Sequence, residues 1–280
     1  MAAYYKLSGK FAPQGLILGL LSGAAVSVPL AFLYNYGIVS IPEAKLRGIC
    51  TLTFGALIGS ASGFAMCWGK VRNKLLAGTV GLATSFFGLY LSWFAWVLHL
   101  VHPSNWLFNL VHPATHPRRL WQAMQAINAI GTWSYGSSGT PEHGTFLWIV
   151  WIGEVLLVVA AGALTALFIV QLRPFCENCQ QWCSDQTKLY FDPSLPAGQF
   201  KTQLESQDTA SLQKLTAGNK KQPHYRLDLH SCGNCHSLNT LSVVQNFPRD
   251  HKVIVNKLLV TPDQAAAIRN LELAQRGSVA

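Results

Sequence analysis

Four stretches of this chain, at residues 14–37, 48–68, 75–101 and 145–172, run as mostly apolar sequence between charged or polar flanks. A helix needs roughly 20 such residues to cross about 30 Å of hydrocarbon, so each stretch is long enough to span a bilayer. Charge follows the same division. Residues 1–172 hold 9 Lys or Arg and 3 Asp or Glu, whereas residues 173–280 hold 12 and 9. Over the whole chain only 12% of residues are charged, about half the usual share for a soluble domain. The expected architecture is an all-α four-helix transmembrane bundle over 1–172, with an outer loop at 102–144, followed by a small soluble α+β domain at 173–280. The first apolar stretch has no short apolar core followed by a small-residue cleavage site, so it reads as a retained anchor rather than a signal peptide.

Basic residues orient the spans. Lys6, Lys10, Lys70, Arg72, Lys74, Arg173 and Lys188 flank one side, against Lys45, Arg47, Arg118 and Arg119 on the other. The positive-inside bias therefore places both termini in the cytoplasm, with the protein in the plasma (inner) membrane. Trp93, Trp96, Trp106, Trp121, Trp133, Trp148 and Trp151 fall at the outer ends of spans three and four or between them, a headgroup-boundary pattern. Spans one and two repeat glycine every fourth residue, at Gly15, Gly19 and Gly23 and at Gly55, Gly59 and Gly63. Such smooth strips let helix backbones approach closely, and packing inside one bundle is favoured over a dimer seam. Pro29 is expected to kink span one.

Five histidines mark the outer side: His99, His102, His112, His116 and His143. Imidazole is a common metal ligand, yet Pro103, Pro113 and Pro117 prevent one helix from carrying them on a shared face. Interfacial histidines beside proline turns are the preferred reading. Residues 117–130 place Leu120, Met124 and Ile127 at helical spacing, the pattern of a helix lying on the outer surface. Inside span four sits Glu154, an ionisable group that is costly in hydrocarbon. A protonated side chain bonded to Ser60, Tyr90 or Ser92 is preferred over a proton or ion relay, because no second buried charge accompanies it.

The densest chemistry lies after the last span. Cys176-Glu-Asn-Cys179 is followed by Cys183, and later by Cys232-Gly-Asn-Cys235-His236. Two C-x2-C pairs supply the four thiolates of a tetrahedral structural zinc site. Tyr225–His230, Leu241–Val244 and Lys252–Val260 alternate like strands around the second pair. Residues of about 174–260 thus resemble a zinc ribbon, which implies tight cysteine turns beside antiparallel strands. The long spacer departs from that pattern, and Asp208 through Gly218 read as an inserted capped helix. Cys183 and His236 are possible substitute ligands. Iron would accept the same four sulfurs, whereas c-type haem at Cys232-x-x-Cys235-His236 conflicts with a cytosolic tail and leaves the first pair idle. Disulfides conflict with the same placement. Cys50 and Cys67 read as small packing residues. Thr261, Pro262 and Gln264 form a helix start, with the helix running to about Gln275 and presenting Ala265, Ile268 and Leu271. Few large apolar residues separate Cys183 from Tyr225, so zinc is expected to be required for the tail to fold.

No phosphate loop, nucleophile elbow or metalloprotease helix is present, so no catalytic residue is assigned. The only adjacent basic pair in the tail, Lys220-Lys221, argues against a nucleic-acid surface. The functional expectation is an integral membrane interaction or regulatory protein that presents a cytosolic zinc-stabilised domain to a protein partner. The alternative is a membrane oxidoreductase or proton or ion carrier using Glu154 and the outer histidines.

Overall fold

The computed structural model describes residues 2–41, 43–101, 116–132, 141–193, 196–206, 216, 218, 222–247 and 250–277. The chain forms two compact units, one of Gly9–Gln171 and one of Leu172–Ala280 joined by Met1–Ser8.

The first unit is helical. It comprises α1 (Pro13–Ser40), α2 (Ala44–Trp68), α3 (Lys74–Val101), α4 (Pro117–Ile130) and α5 (Thr145–Gln171). Of these, α1, α2, α3 and α5 are long and apolar enough to cross a membrane. Large apolar side chains such as Leu21, Leu33, Leu75, Leu156 and Leu164 stay uncovered on their outer faces, an exposure compatible with helices that span a membrane. Helix α1 continues through Pro29.

Both glycine strips are used inside the bundle. Gly15, Gly19 and Gly23 of α1 face Gly69, Met66 and Ser62 of the α2 end, together with Val80 and Thr84 of α3. Gly55, Gly59 and Gly63 of α2 face Val158, Gly162, Ala166 and Ile169 of α5. A Cβ at Gly59 would meet the Gly162 carbonyl oxygen, a backbone atom that cannot swing aside. In the same seam the Ser62 and Thr84 hydroxyls bond at 2.9 Å, and Ser27 Oγ donates to Gly23 O at 2.7 Å. Close approach and hydroxyl bonds of this kind are what hold apolar helices together where hydrophobic drive is absent.

Helix α4 buries Leu120 and Met124, with Ile127 partly covered, against Leu147 and Trp151. The tryptophans of the boundary pattern also pack on one another. Trp93, Trp96 and Trp148 lie 5.6, 5.8 and 5.0 Å from Trp151, centroid to centroid, and Trp151 is 6% exposed. Trp106 and Trp133 lie outside the described residues.

The second unit holds a hairpin, β1 (Phe175–Cys176) with β2 (Gln181–Trp182), and a four-stranded antiparallel sheet in the order β3-β4-β5-β6. The sheet strands are β3 (Asp185–Phe191), β4 (His224–Ser231), β5 (Asn239–Phe247) and β6 (Asp250–Leu259). Among the described residues the unit also holds two helices, α6 (Ala197–Glu205) and α7 (Pro262–Gly277). The three expected strands become β4, β5 and β6; β3 and α6 were not anticipated. Most of the expected helix at 208–218 lies outside the described residues. Thr216 and Gly218, at its C-terminal end, run beside the end of β3, where Gly218 N–H donates to Tyr190 O at 2.8 Å and Thr216 O accepts from Asp192 N–H at 3.2 Å.

A strand buries every second residue on one face. Leu189, Tyr225, Leu227, Leu229, Leu241 and Val243 accordingly form one core with Phe200 and Leu204 of α6 and Ala265 and Ile268 of α7. This corrects the expectation of a thin core, because Leu189, Phe191, Phe200 and Leu204 all come from the spacer. The α7 cap forms as expected: Gln264 N–H donates to Thr261 Oγ1 at 3.3 Å and Thr261 N–H to Gln264 Oε1 at 3.1 Å. The N-terminal residues complete the sheet edge. Tyr4 pairs with Leu258, Tyr5 N–H donates to Lys257 O, and Leu259 N–H donates to Ala3 O, both at 2.8 Å. The Tyr5 hydroxyl then accepts from Phe175 N–H at 2.8 Å, tying the β1–β2 hairpin to the same edge.

Candidate metal centre

Two turns bring four sulfurs together. Cys176 and Cys179 lie on the turn between β1 and β2, and Cys232 and Cys235 on the turn between β4 and β5. Their Sγ atoms all lie within 4.8 Å of one another, and Cys176 Sγ is 3.6 Å from Cys235 Sγ. Tetrahedral zinc with bonds near 2.3 Å would separate sulfurs by about 3.8 Å. The cluster therefore suits a metal ion with little movement, and the cysteines are free thiols rather than disulfides.

The two turns are built alike. Backbone N–H groups of Asn178 and Cys179 donate to Cys176 Sγ, and those of Asn234 and Cys235 donate to Cys232 Sγ. Immediately after each second cysteine the chain enters the left-handed region, at Gln180 (φ 53°) and His236 (φ 51°). That step reverses the chain into the following segment while the N–H groups stay pointed at sulfur. Such donors stabilise thiolate, the form a metal needs.

As thiols the four groups differ. Cys235 is held down to about 6 by the Ser237 hydroxyl and backbone N–H, with the hydroxyl 2.9 Å from its sulfur. Burial pushes Cys232 up, but the N–H groups of its turn and Gln181 Nε2, at 3.5 Å, outweigh it and leave the thiol lowered. Cys179 is pushed up to about 12 through its contact with Cys235, and burial raises Cys176. Cys235 thus carries thiolate at neutral pH before metal arrives, and the raised thiols of Cys176 and Cys179 release protons when it binds.

The two possible substitutes have other places. Cys183 is buried beside Cys176 and Cys232, and burial pushes its thiol up to about 12. It stands outside the four-sulfur group. His236 is exposed, and its place is the turn conformation. Sequence reading missed the matched pair Gln180 and His236; the visible signal was the shared C-x-Asn-C spacing, one residue upstream of each.

Elsewhere, the described residues bring no other group of three or more His, Cys, Asp or Glu side chains together in metal-binding geometry. His102 and His112 lie outside the described residues, and the His99 ring packs edge-on to Tyr36 at 5.5 Å. Glu154 does have a hydrogen-bond partner, but a different one from those expected. The Tyr34 hydroxyl donates to Glu154 Oε1 at 2.6 Å and lies 2.9 Å from Thr51 Oγ1. Ser60 bonds back to Ala56 O, and Tyr90 packs in the aromatic cluster of α4. The expectation matched depths on the other spans, whereas α1 and α5 each pack on α2 and α3 and the long phenol, stacked on Phe54, reaches across between them.

Comparison with protein-family models, with curated proteins and with solved structures finds no match to this chain.

Proposed function

We propose that this is a multi-pass membrane protein whose four spans anchor a cytosolic zinc-ribbon-type domain, and that the domain serves interaction or regulation rather than catalysis. The observation that carries this reading is the closed set of four sulfurs on two matched turns. A metal held by four protein sulfurs keeps no open position for substrate, which is the arrangement of structural zinc rather than catalytic zinc. Reduced thiols suit a cytosolic compartment, and the bias of Lys and Arg toward the flanks of both termini agrees.

The carrier alternative has less support. Glu154 already holds a hydrogen bond from Tyr34, and Ala31, Ile58, Leu89 and Val158 pack in one buried cluster with Tyr34. Elemental analysis of the full-length protein, purified in detergent without added metal, tests the reading. One zinc per chain and no visible absorbance is the expected result; iron colour, or no metal at all, overturns the zinc assignment.

A further inference from the structure

The sheet face opposite the core carries a concentration of positive charge. Cross-strand pairing places Lys188 against Asp228, Tyr190 against Arg226 and Gln186 against His230, while Leu189, Leu227 and Leu229 point into the core. On β6, Lys257 N–H donates to Ser242 Oγ at 3.0 Å, and Ser242 pairs with Asp228. One row of the face therefore runs Lys188, Asp228, Ser242, Lys257. The next row centres on His230, and the charges of Asp228, Lys257, Arg173 and Lys188 all act on it. Arg226 Nε donates to Asp228 Oδ2 at 3.0 Å, so that oxygen of the Asp228 carboxylate is already paired. Lys188 and Arg173 are exposed and Lys257 half-buried.

We propose that this face is a docking surface for anionic phospholipid headgroups, with Arg173, Lys188 and Lys257 as the phosphate-binding side chains. The inference rests on the membrane-anchored reading. Arg173 follows Gln171, the last residue of α5, by two positions, and two residues span at most about 7 Å. A cation so tethered stays within a Debye length of the leaflet, and the inner leaflet attracts juxtamembrane Lys and Arg. Charge complementarity together with this tether therefore selects the lipid surface over a soluble acidic partner.

The test uses the full-length protein in nanodiscs of phosphatidylcholine alone, or of phosphatidylcholine and phosphatidylglycerol in equal parts. Amide exchange is read in Asp185–Phe191 and His224–Ser231. Several-fold slower exchange in the anionic discs is expected. The slowing should vanish at high salt and in Lys188→Glu/Lys257→Glu, and survive in Lys201→Glu on α6. Lys188→Gln/Lys257→Gln provides the same test if charge reversal prevents folding. Equal exchange in the two discs, slowing that survives these substitutions, or slowing reproduced by inorganic phosphate in phosphatidylcholine discs would overturn the proposal. Failure of the protein to enter discs at all would instead overturn the membrane-anchored reading.

Discussion

Gln180 and His236 hold the same left-handed conformation at the same place in two different turns, each one residue after the second cysteine of its pair. A side chain with a Cβ pays about 1 kcal/mol or more to sit there, and glycine does not. Gln180→Gly and His236→Gly should therefore each raise the thermal midpoint of the metal-bound domain, by an amount equivalent to roughly 0.5–1 kcal/mol. Both variants should keep full metal content. Loss of metal in His236→Gly would return that imidazole to the ligand set.

Removal of single sulfurs sorts ligands from neighbours. Ser at 176, 179, 232 or 235 should abolish stoichiometric metal, measured by mass spectrometry of elements in the purified protein. Cys183→Ser should retain it, because that thiol is buried beside the cluster without belonging to it. Retention in the first four and loss in the fifth would reverse the assignment.

Metal withdrawal should loosen the turns without unfolding the sheet. The core around Leu227, Leu229, Phe200 and Ile268 is separate from the cysteine cluster, so a chelator should speed exchange and proteolysis at 176–183 and 231–238 while the middle of β4 and β5 stays protected. Uniform collapse of protection across all four strands would restore the view that the metal is required for folding.

Metal affinity should rise with pH. Cys235, at about 6, is thiolate at neutral pH, whereas Cys179, at about 12, is still protonated. Binding must displace the proton from Cys179 and from the raised Cys176, so raising the pH toward 9 removes part of that cost. Calorimetric titration in buffers of different ionisation enthalpy should reveal proton release on zinc binding at pH 7. Binding without proton release would exclude these thiols as the groups that lose protons.

Glu154→Gln should fold normally, since the amide keeps an acceptor for the Tyr34 hydroxyl. Glu154→Leu should lose about 1–3 kcal/mol by leaving that hydroxyl one partner short. Unfolding by graded detergent denaturation checks both. Equal stability of the Gln and Leu variants would make the 2.6 Å bond irrelevant to the bundle.

What the sequence makes legible is what local pattern controls. Twenty-residue apolar runs define the spans, C-x2-C spacing marks the turns, and Thr261 with Gln264 marks the α7 start before any tertiary contact is known. Strand β3 carried a readable signal as well, in the alternation of Thr187, Leu189 and Phe191, all three buried. Helix α6 was fainter, because Phe200 and Leu204 are its only buried residues. Tyr34 with Glu154 and Tyr4 with Leu258 are remote in sequence, and nothing in either local segment announces the other. Hydroxyl partners inside the bundle depend on side-chain reach as much as on depth, which hydropathy does not encode.

The pairing of Ala3–Tyr5 with β6 has a consequence for biosynthesis. Ala3–Tyr5 are synthesised before the four apolar helices and β6 after them, so the backbone groups of Ala3 and Tyr5 find these partners only once the helices have been made. Bulk introduced beside Ala3–Tyr5 would therefore act at the seam that closes last, far in sequence from the strand it disturbs.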